Sequence, residues 1–365
     1  MEQNRAGTKR VDIALLLSVL ALILFGMVML YSTSSYNGLV KFADRFYYLK
    51  KQFFATSLGL AAMYIVSLID YHVWAKFSVA GYVLSAILST LVLFVGQEIN
   101  GSKRWLALGP LSFQPSEFAK VALIIFLAWI VTKQGKRIVK LKTMLLVIIS
   151  ALPIVGLVGS NNLSTAIIIL GIAVVLIFVA SPKYLQFLAI GGLGIVFITL
   201  FLATASYRLE RLAIWLDPEK YEKGYQTLQG LYAIGSGGVF GVGIGNGKQK
   251  LGFVPEAQND MIFSIICEEL GLFGAGLLIV LFGILIWRLM VVASHTKDLF
   301  GCLVVTGIMA HILIQVILNI AVVTNTIPNT GITLPFVSYG GTSVLFLLAE
   351  MGIALNVSLS TRKEH

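Results

Sequence analysis

Charge is scarce in this chain. Asp, Glu, Lys and Arg make up 12% of its 365 residues, about half the share of a soluble domain, which excludes an ordinary soluble globular protein. Cysteine is nearly absent. Cys267 and Cys302 fall in different apolar runs, so a disulfide framework and a cysteine metal site, which needs clustered thiolates, lack the material. The four histidines are scattered, leaving Ser-His-Asp, His-metal and Cys-His chemistry without support. Phosphate fingerprints are missing too, since the glycine-rich stretch contains neither G-x-x-x-x-G-K-[ST] nor G-x-G-x-x-G. A cytosolic nucleotide site is unsupported.

Long hydrophobic runs are abundant. Hydrophobic residues make up 58% of the chain, and runs of about 20 apolar residues mean bilayer spans. Hydropathy predicts about ten, near residues 11–32, 51–68, 76–95, 116–133, 143–159, 164–181, 184–206, 261–290, 299–322 and 342–358. The first run is long enough to remain a span rather than a cleaved leader. The expected fold is therefore an all-α integral membrane bundle, a single polytopic domain over 1–365 with one long loop at 207–260.

The net charge of +10 sits beside the spans, where cations set topology and meet anionic headgroups. It does not point to nucleic acid. Lys133, Lys136, Arg137, Lys140 and Lys142 form the densest basic cluster, which assigns their loop to the cytoplasm. Arg5, Lys9, Arg10, Arg288, Lys297, Arg362 and Lys363 then share that side. Both termini are expected inside, which requires an even number of spans. On the same reckoning the 207–260 loop, residues 101–115 and residues 324–341 all emerge outside together.

Those three outer segments hold the chemistry. Lys103, Arg104 and Trp105 join a donor fork suited to phosphate with an amphipathic ring, although an aromatic belt with snorkelling cations gives the same pattern. Pro115 suits the first turn of a helix. Glu117 suits the positive end of that helix, and Lys120 lies one turn deeper. A lysine inside a span is costly unless it is paired or faces a polar cavity, so a Glu117–Lys120 pair lining an outer cavity is expected. Ten glycines from 224 to 252 imply close-packed backbone with exposed amides, and Lys248 and Lys250 follow as phosphate candidates or as solvated charges. Pro255, Glu256 and Asp260 precede the eighth span, where an N-cap is the plainest role for Asp260. Of Glu268 and Glu269, one is expected to face a polar interior. Residues 325–343 mix turn formers with apolar residues and suit a re-entrant loop buried in protein.

Taken in order, GSKRWL, FQPSEFAK, WLDP…GYQ…AIGSGG, PEAQNDMIF with EELG, and NTGITLPFVSYGGTS resemble the motifs of the shape, elongation, division and sporulation family, whose members include FtsW, RodA and SpoVE. The last motif looks closer to the division-type, FtsW-like branch. The resemblance covers essentially all the spans. It implies a peptidoglycan glycosyltransferase that polymerises lipid II, an undecaprenyl-pyrophosphate-linked disaccharide pentapeptide, on the outer side of the bacterial cytoplasmic membrane. It further implies a class B penicillin-binding transpeptidase as partner, with other divisome or elongasome membrane proteins.

The family's essential acid maps to Asp260, with Met261 where Phe is usual. The resemblance extends the substrate-binding set to Lys103, Arg104, Trp105, Glu117, Lys120, Lys248, Lys250, Glu256, Ser338 and Tyr339. Asn161 and Asn162 stand where the family often has Pro-Asp, which removes a charge there. Asp260 is expected to act as base, or to hold a divalent cation (Mg²⁺ or Mn²⁺) that does the same work; no other cofactor is implied. Two further readings remain open at this point, a lipid II flippase and a non-catalytic divisome scaffold.

Overall fold

Pro115 opens the helix around which the others pack. In the computed structural model, which describes residues 11–99, 102–108, 111–181, 183, 191 and 212–360, this helix is α4 (Pro115–Gln134), with proline in its first turn as expected. Before it come α1 (Ile13–Phe42), α2 (Tyr47–Leu68) and α3 (His72–Val95). After it come α5 (Leu141–Gly159), α6 (Leu163–Ala180), the short α7 (Tyr225–Gly237), α8 (Ile262–His295), α9 (Leu299–Val323) and α10 (Gly341–Ser358). Among the described residues nine helices are long and apolar enough to cross a membrane. They match nine of the ten predicted spans. The other, at 184–206, lies outside the described residues apart from residue 191, as do Arg5, Lys9, Arg10, Arg362 and Lys363.

Burial separates the helices into layers. In α4 and α9, 78% and 67% of the most apolar window is buried in protein, against 22% in α2 and α3. The first two are therefore the core of the bundle, and the last two turn most of their surface outward. α1 runs ten residues beyond its predicted end. Ser32, Thr33 and Ser34, at and just past that end, are buried against protein, and the helix ends only at Ala43, in a left-handed cap.

The segment after α3 departs from an all-α bundle. Gln97–Ile99, Ser102–Leu108 and Leu111–Phe113 form a three-stranded antiparallel sheet, β1-β2-β3. The sequence carries the signal for it: Asn100-Gly101 and Gly109-Pro110 fall between the strands, and both are turn dipeptides.

The glycine-rich stretch is spent on close backbone contact. α8 breaks at Gly271 (φ 64°, ψ −164°), and the chain after α7 pairs with the broken turn. Val242 and Gly243 donate to the carbonyls of Glu268 and Glu269 at 3.0 and 2.9 Å, while Leu272 and Phe273 donate to Gly238 and Val239, each at 3.0 Å. A Cβ on Gly237 would stand 1.8 Å from the Cys267 carbonyl oxygen, and one on Gly241 2.2 Å from that of Glu269. The close packing is as expected, but two of the amides expected to be exposed, those of Val242 and Gly243, are taken by helix carbonyls.

The 325–340 segment folds back into protein. Ile332, Leu334, Phe336, Val337 and Ser338 are all buried. The Ser338 hydroxyl donates to the Asn259 carbonyl at 2.6 Å, and the Tyr339 amide donates to that of Gln258 at 2.9 Å. The loop is thereby fastened to the turn that carries Asp260.

Candidate active site

A cavity of about 1200 Å³ opens where the sheet, α7, the 256–260 turn and the 325–340 loop meet. Asp260, Glu256, Glu117, Lys120, Arg104 and Trp105 all line it, as does Tyr339. These residues come from four separate sequence motifs, and the fold brings them to one space.

Asp260 stands just ahead of α8, whose N-cap is Met261. It is only 9% exposed. Gln226 Nε2, from α7, lies 3.4 Å from each of its carboxylate oxygens. Its carbonyl accepts from Asn319 Nδ2 at 2.9 Å. Burial lifts its pKa to about 7, and the Glu256 charge adds to the rise, while nearby backbone amides and Gln226 oppose it. Such a group changes protonation near neutral pH, which is what a general base requires.

Across the cavity, Glu117 and Lys120 form the expected ion pair at 2.9 Å. Lys120 Nζ also donates to Gln315 Oε1 at 3.2 Å. Arg104 Nε donates to the Asn161 carbonyl at 2.9 Å, and Asn161 Nδ2 returns a bond to the Lys103 carbonyl at 2.9 Å. The sheet is thus clamped to the start of α6. Asn162, where the family often has an acid, caps α6 through Thr165 N at 3.1 Å and lines the cavity without charge. Burial pushes the Tyr339 phenol up to about 12, which keeps it a hydrogen-bond donor.

Four expected substrate contacts fall elsewhere. Lys250 is 3% exposed, and its ammonium is paired with Glu269 and donates to Ser32 Oγ at 2.8 Å. It closes the glycine segment onto α1 and α8 and does not reach the cavity. Lys248 is exposed outside the cavity, and its backbone amide donates to Glu268 Oε1 at 2.7 Å. Both glutamates therefore face polar interior, where one was expected to. Lys103 lines a separate small cleft beside Pro115 and Leu157. Ser338 is buried and serves the loop, accepting from Leu334 N at 2.8 Å.

The cavity also recruits residues the sequence reading passed over. Lys50 and Lys51 reach it from α2, Lys223 and Gln226 from the segment around the start of α7, and Gln315 from α9. With Arg104 and Lys120, the lysines give five cations against three carboxylates, Glu117, Glu256 and Asp260. One wall is apolar, made by Phe54 and Leu58 of α2 with Leu345 of α10. Among the described residues no group of three or more His, Cys, Asp or Glu is placed to hold a metal.

Residues 13–363 match the profile of the cell cycle proteins FtsW, RodA and SpoVE. The chain belongs to that family. Stage V sporulation protein E of Bacillus subtilis is 39% identical over 363 residues, covering 96% of this chain and 98% of its own. A probable peptidoglycan glycosyltransferase FtsW of Trichlorobacter lovleyi is 38% identical over 353 residues, covering 95% and 93%. These two identities do not separate the division-type branch from the sporulation-type branch. Among solved structures, a chain of a peptidoglycan synthase complex that coordinates polymerization and crosslinking superposes with a TM-score of 0.82 at 30% identity, covering 95% of this chain and 97% of that one. The rod shape determining protein RodA of Thermus thermophilus follows at 0.72 and 29%, covering 97% and 98%. The chain is a multi-pass membrane protein of this family.

Proposed function

We propose that this protein is a peptidoglycan glycosyltransferase that polymerises lipid II at the outer face of the cytoplasmic membrane. The observation that carries the reading is Asp260, a buried acid titrating near neutrality in a cavity with cations on its other walls and one apolar side. The names of the FtsW relatives support the reaction class. The outer face follows from the basic loop at 133–142, which the positive-inside pattern keeps in the cytoplasm.

In the reaction, a sugar hydroxyl attacks the anomeric carbon of a second lipid-linked unit, and the bond to its pyrophosphate breaks. The hydroxyl proton passes to an Asp260 carboxylate oxygen. Negative charge gathers on the departing pyrophosphate, where Arg104 and Lys120, with Lys50 and Lys51 at the α2 wall, stabilise it. Phe54, Leu58 and Leu345 offer the polyprenyl chain an apolar path from the bilayer. In the alternative to Asp260 acting as base, Asp260 and Glu256, which both line the cavity, would be the residues to hold a divalent cation. Such a cation would supply Lewis acidity at the pyrophosphate. The likeness to a peptidoglycan synthase complex supports a class B penicillin-binding transpeptidase as partner.

The test uses purified protein co-expressed with its cognate transpeptidase, given labelled lipid II, with and without Asp260→Ala. The wild type is expected to give a glycan ladder. The folded, partner-bound variant is expected to lose roughly 10²- to 10⁴-fold in rate, the usual worth of a general base. Equal ladders remove Asp260 as base. No ladder from either, with lipid II moved across liposomes by the wild type, replaces polymerisation with translocation.

A further inference from the structure

Helix α9 carries three buried polar residues spaced by four, His311, Gln315 and Asn319, which puts them on one helix face. Each holds a different part of the structure around the cavity. Asn319 Nδ2 donates to the carbonyls of Asp260 and Ile332 at 2.9 and 2.6 Å. Gln315 Nε2 donates to the Thr333 carbonyl at 3.0 Å, and its Oε1 accepts from Lys120 Nζ at 3.2 Å. His311 Nε2 lies 3.0 Å from that same Oε1, and its Nδ1 lies 2.9 Å from Oε2 of Glu350, on α10.

The hydrogen-bond chemistry fixes the order of this chain. The Thr333 carbonyl can only accept, so the Gln315 amide turns its nitrogen there and its oxygen toward Lys120 and His311. That oxygen has two lone pairs, and the two donors fill them. His311 Nε2 therefore carries a proton toward Gln315. Lys120 in turn has three N–H groups. Glu117 and Gln315 take two of them, leaving the third for an anion in the cavity.

His311 and Glu350 are 1% and 0% exposed and do not line the cavity. A buried pair of this kind contributes little stability over a well-packed apolar pair, while ionisable groups inside a membrane bundle mark functional positions. We propose that His311 and Glu350 are positioning residues for the transfer reaction. They act through Gln315 to hold the Lys120 ammonium where the pyrophosphate leaves. The proposal rests on the glycosyltransferase reading above. Its consequence is that the cation is placed from the centre of the bundle rather than from the loops around the mouth.

The test is a double-mutant cycle, which isolates action through Lys120 from a general structural role. The paired swap His311→Leu/Glu350→Met leaves neither side chain without its partner. It is made in the wild-type and in the Lys120→Met backgrounds. Binding of undecaprenyl pyrophosphate in detergent micelles and glycan polymerisation on lipid II are both measured, alongside thermal stability. In the wild-type background the swap is expected to weaken binding roughly 10-fold and to lower kcat by up to about 100-fold, as displaced site groups do, with KM moving much less. In the Lys120→Met background the further loss of binding is expected to stay under about twofold.

Equal factors in both backgrounds, or no effect in the first, overturn the proposal while leaving the polymerase reading intact. A wild type that neither binds nor polymerises overturns that reading and the proposal with it. If the paired swap does not fold, Gln315→Met, which cuts the chain at its middle, is taken through the same two backgrounds with the same expectations.

Discussion

Gln226 and Asp260 face each other across 34 residues of chain, the amide nitrogen 3.4 Å from both carboxylate oxygens. The contact favours the ionised acid, against burial and the neighbouring Glu256 charge, which favour the protonated one. The rate of glycan synthesis is therefore expected to rise with pH through about 7 and level off above it. Glu256→Gln removes a like charge and should move this limb to lower pH. Gln226→Leu removes a donor and should move it higher. Initial rates across the neutral range for the three proteins check both directions.

The same raised pKa has a sign for stability. Between the ordinary value of 3.8 and about 7 the folded protein holds a proton on Asp260 that the unfolded chain releases. This group's contribution to stability is therefore full below 3.8 and is lost as pH rises through about 7. Asp260→Asn, neutral at every pH, should melt above the wild type at alkaline pH. The gap should narrow as pH falls below neutrality. A variant that melts lower at alkaline pH would contradict the burial of a charge there.

Lys250 and Lys248 should behave oppositely although they are two residues apart. Lys250→Met strands the Glu269 carboxylate in the interior and should cost about 3–5 kcal/mol; Lys250→Met/Glu269→Leu should recover much of it. Lys248→Ala lies on the exposed surface and should change stability by less than about 0.5 kcal/mol. Polymerisation by folded Lys248→Ala should match the wild type. Thermal melts in detergent and the glycan-ladder assay decide each.

The glycines of α7 also divide. A Cβ on Gly235 meets nothing within 4 Å, whereas one on Gly237 falls 1.8 Å from a backbone oxygen of α8. Gly235→Ala should be neutral or stabilise by roughly 0.5–1 kcal/mol. Gly237→Ala should force the segment off the break at Gly271 and lower the yield of folded protein. Size-exclusion profiles and melting temperatures of the pair measure the difference.

The spans were legible because a bilayer demands long apolar runs, and nine of them appear where hydropathy places them. The Glu117–Lys120 pair was legible because charge inside a span is costly and so informative, whereas Asp260 and Arg104 stood out through the motifs the chain shares with the family. Lys250 was not, because its partners Glu269 and Ser32 are 19 and 218 residues away, and its place beside Lys248 after the glycines suggested a phosphate contact or a solvated charge. Lys50 and Lys51 were hidden by the same limit: nothing local shows which side of α2 turns toward a cavity. The His311, Gln315 and Asn319 spacing is present in the sequence, but a histidine set against the other histidines alone carries no signal there. The amide and acid partners four and eight residues on, and on α10, carried the meaning.

The apolar wall of Phe54, Leu58 and Leu345 beside the cationic walls bears on how the protein can be inhibited. A soluble pyrophosphate mimic forgoes the greasy side, and a simple lipid forgoes the cations. On the glycosyltransferase reading proposed above, an amphiphile that meets both walls is expected to block better than either. Each buried methylene adds about 0.8 kcal/mol to its hold on the membrane. Its potency will follow its concentration in the lipid rather than in the surrounding water, and dose will have to be reckoned per lipid.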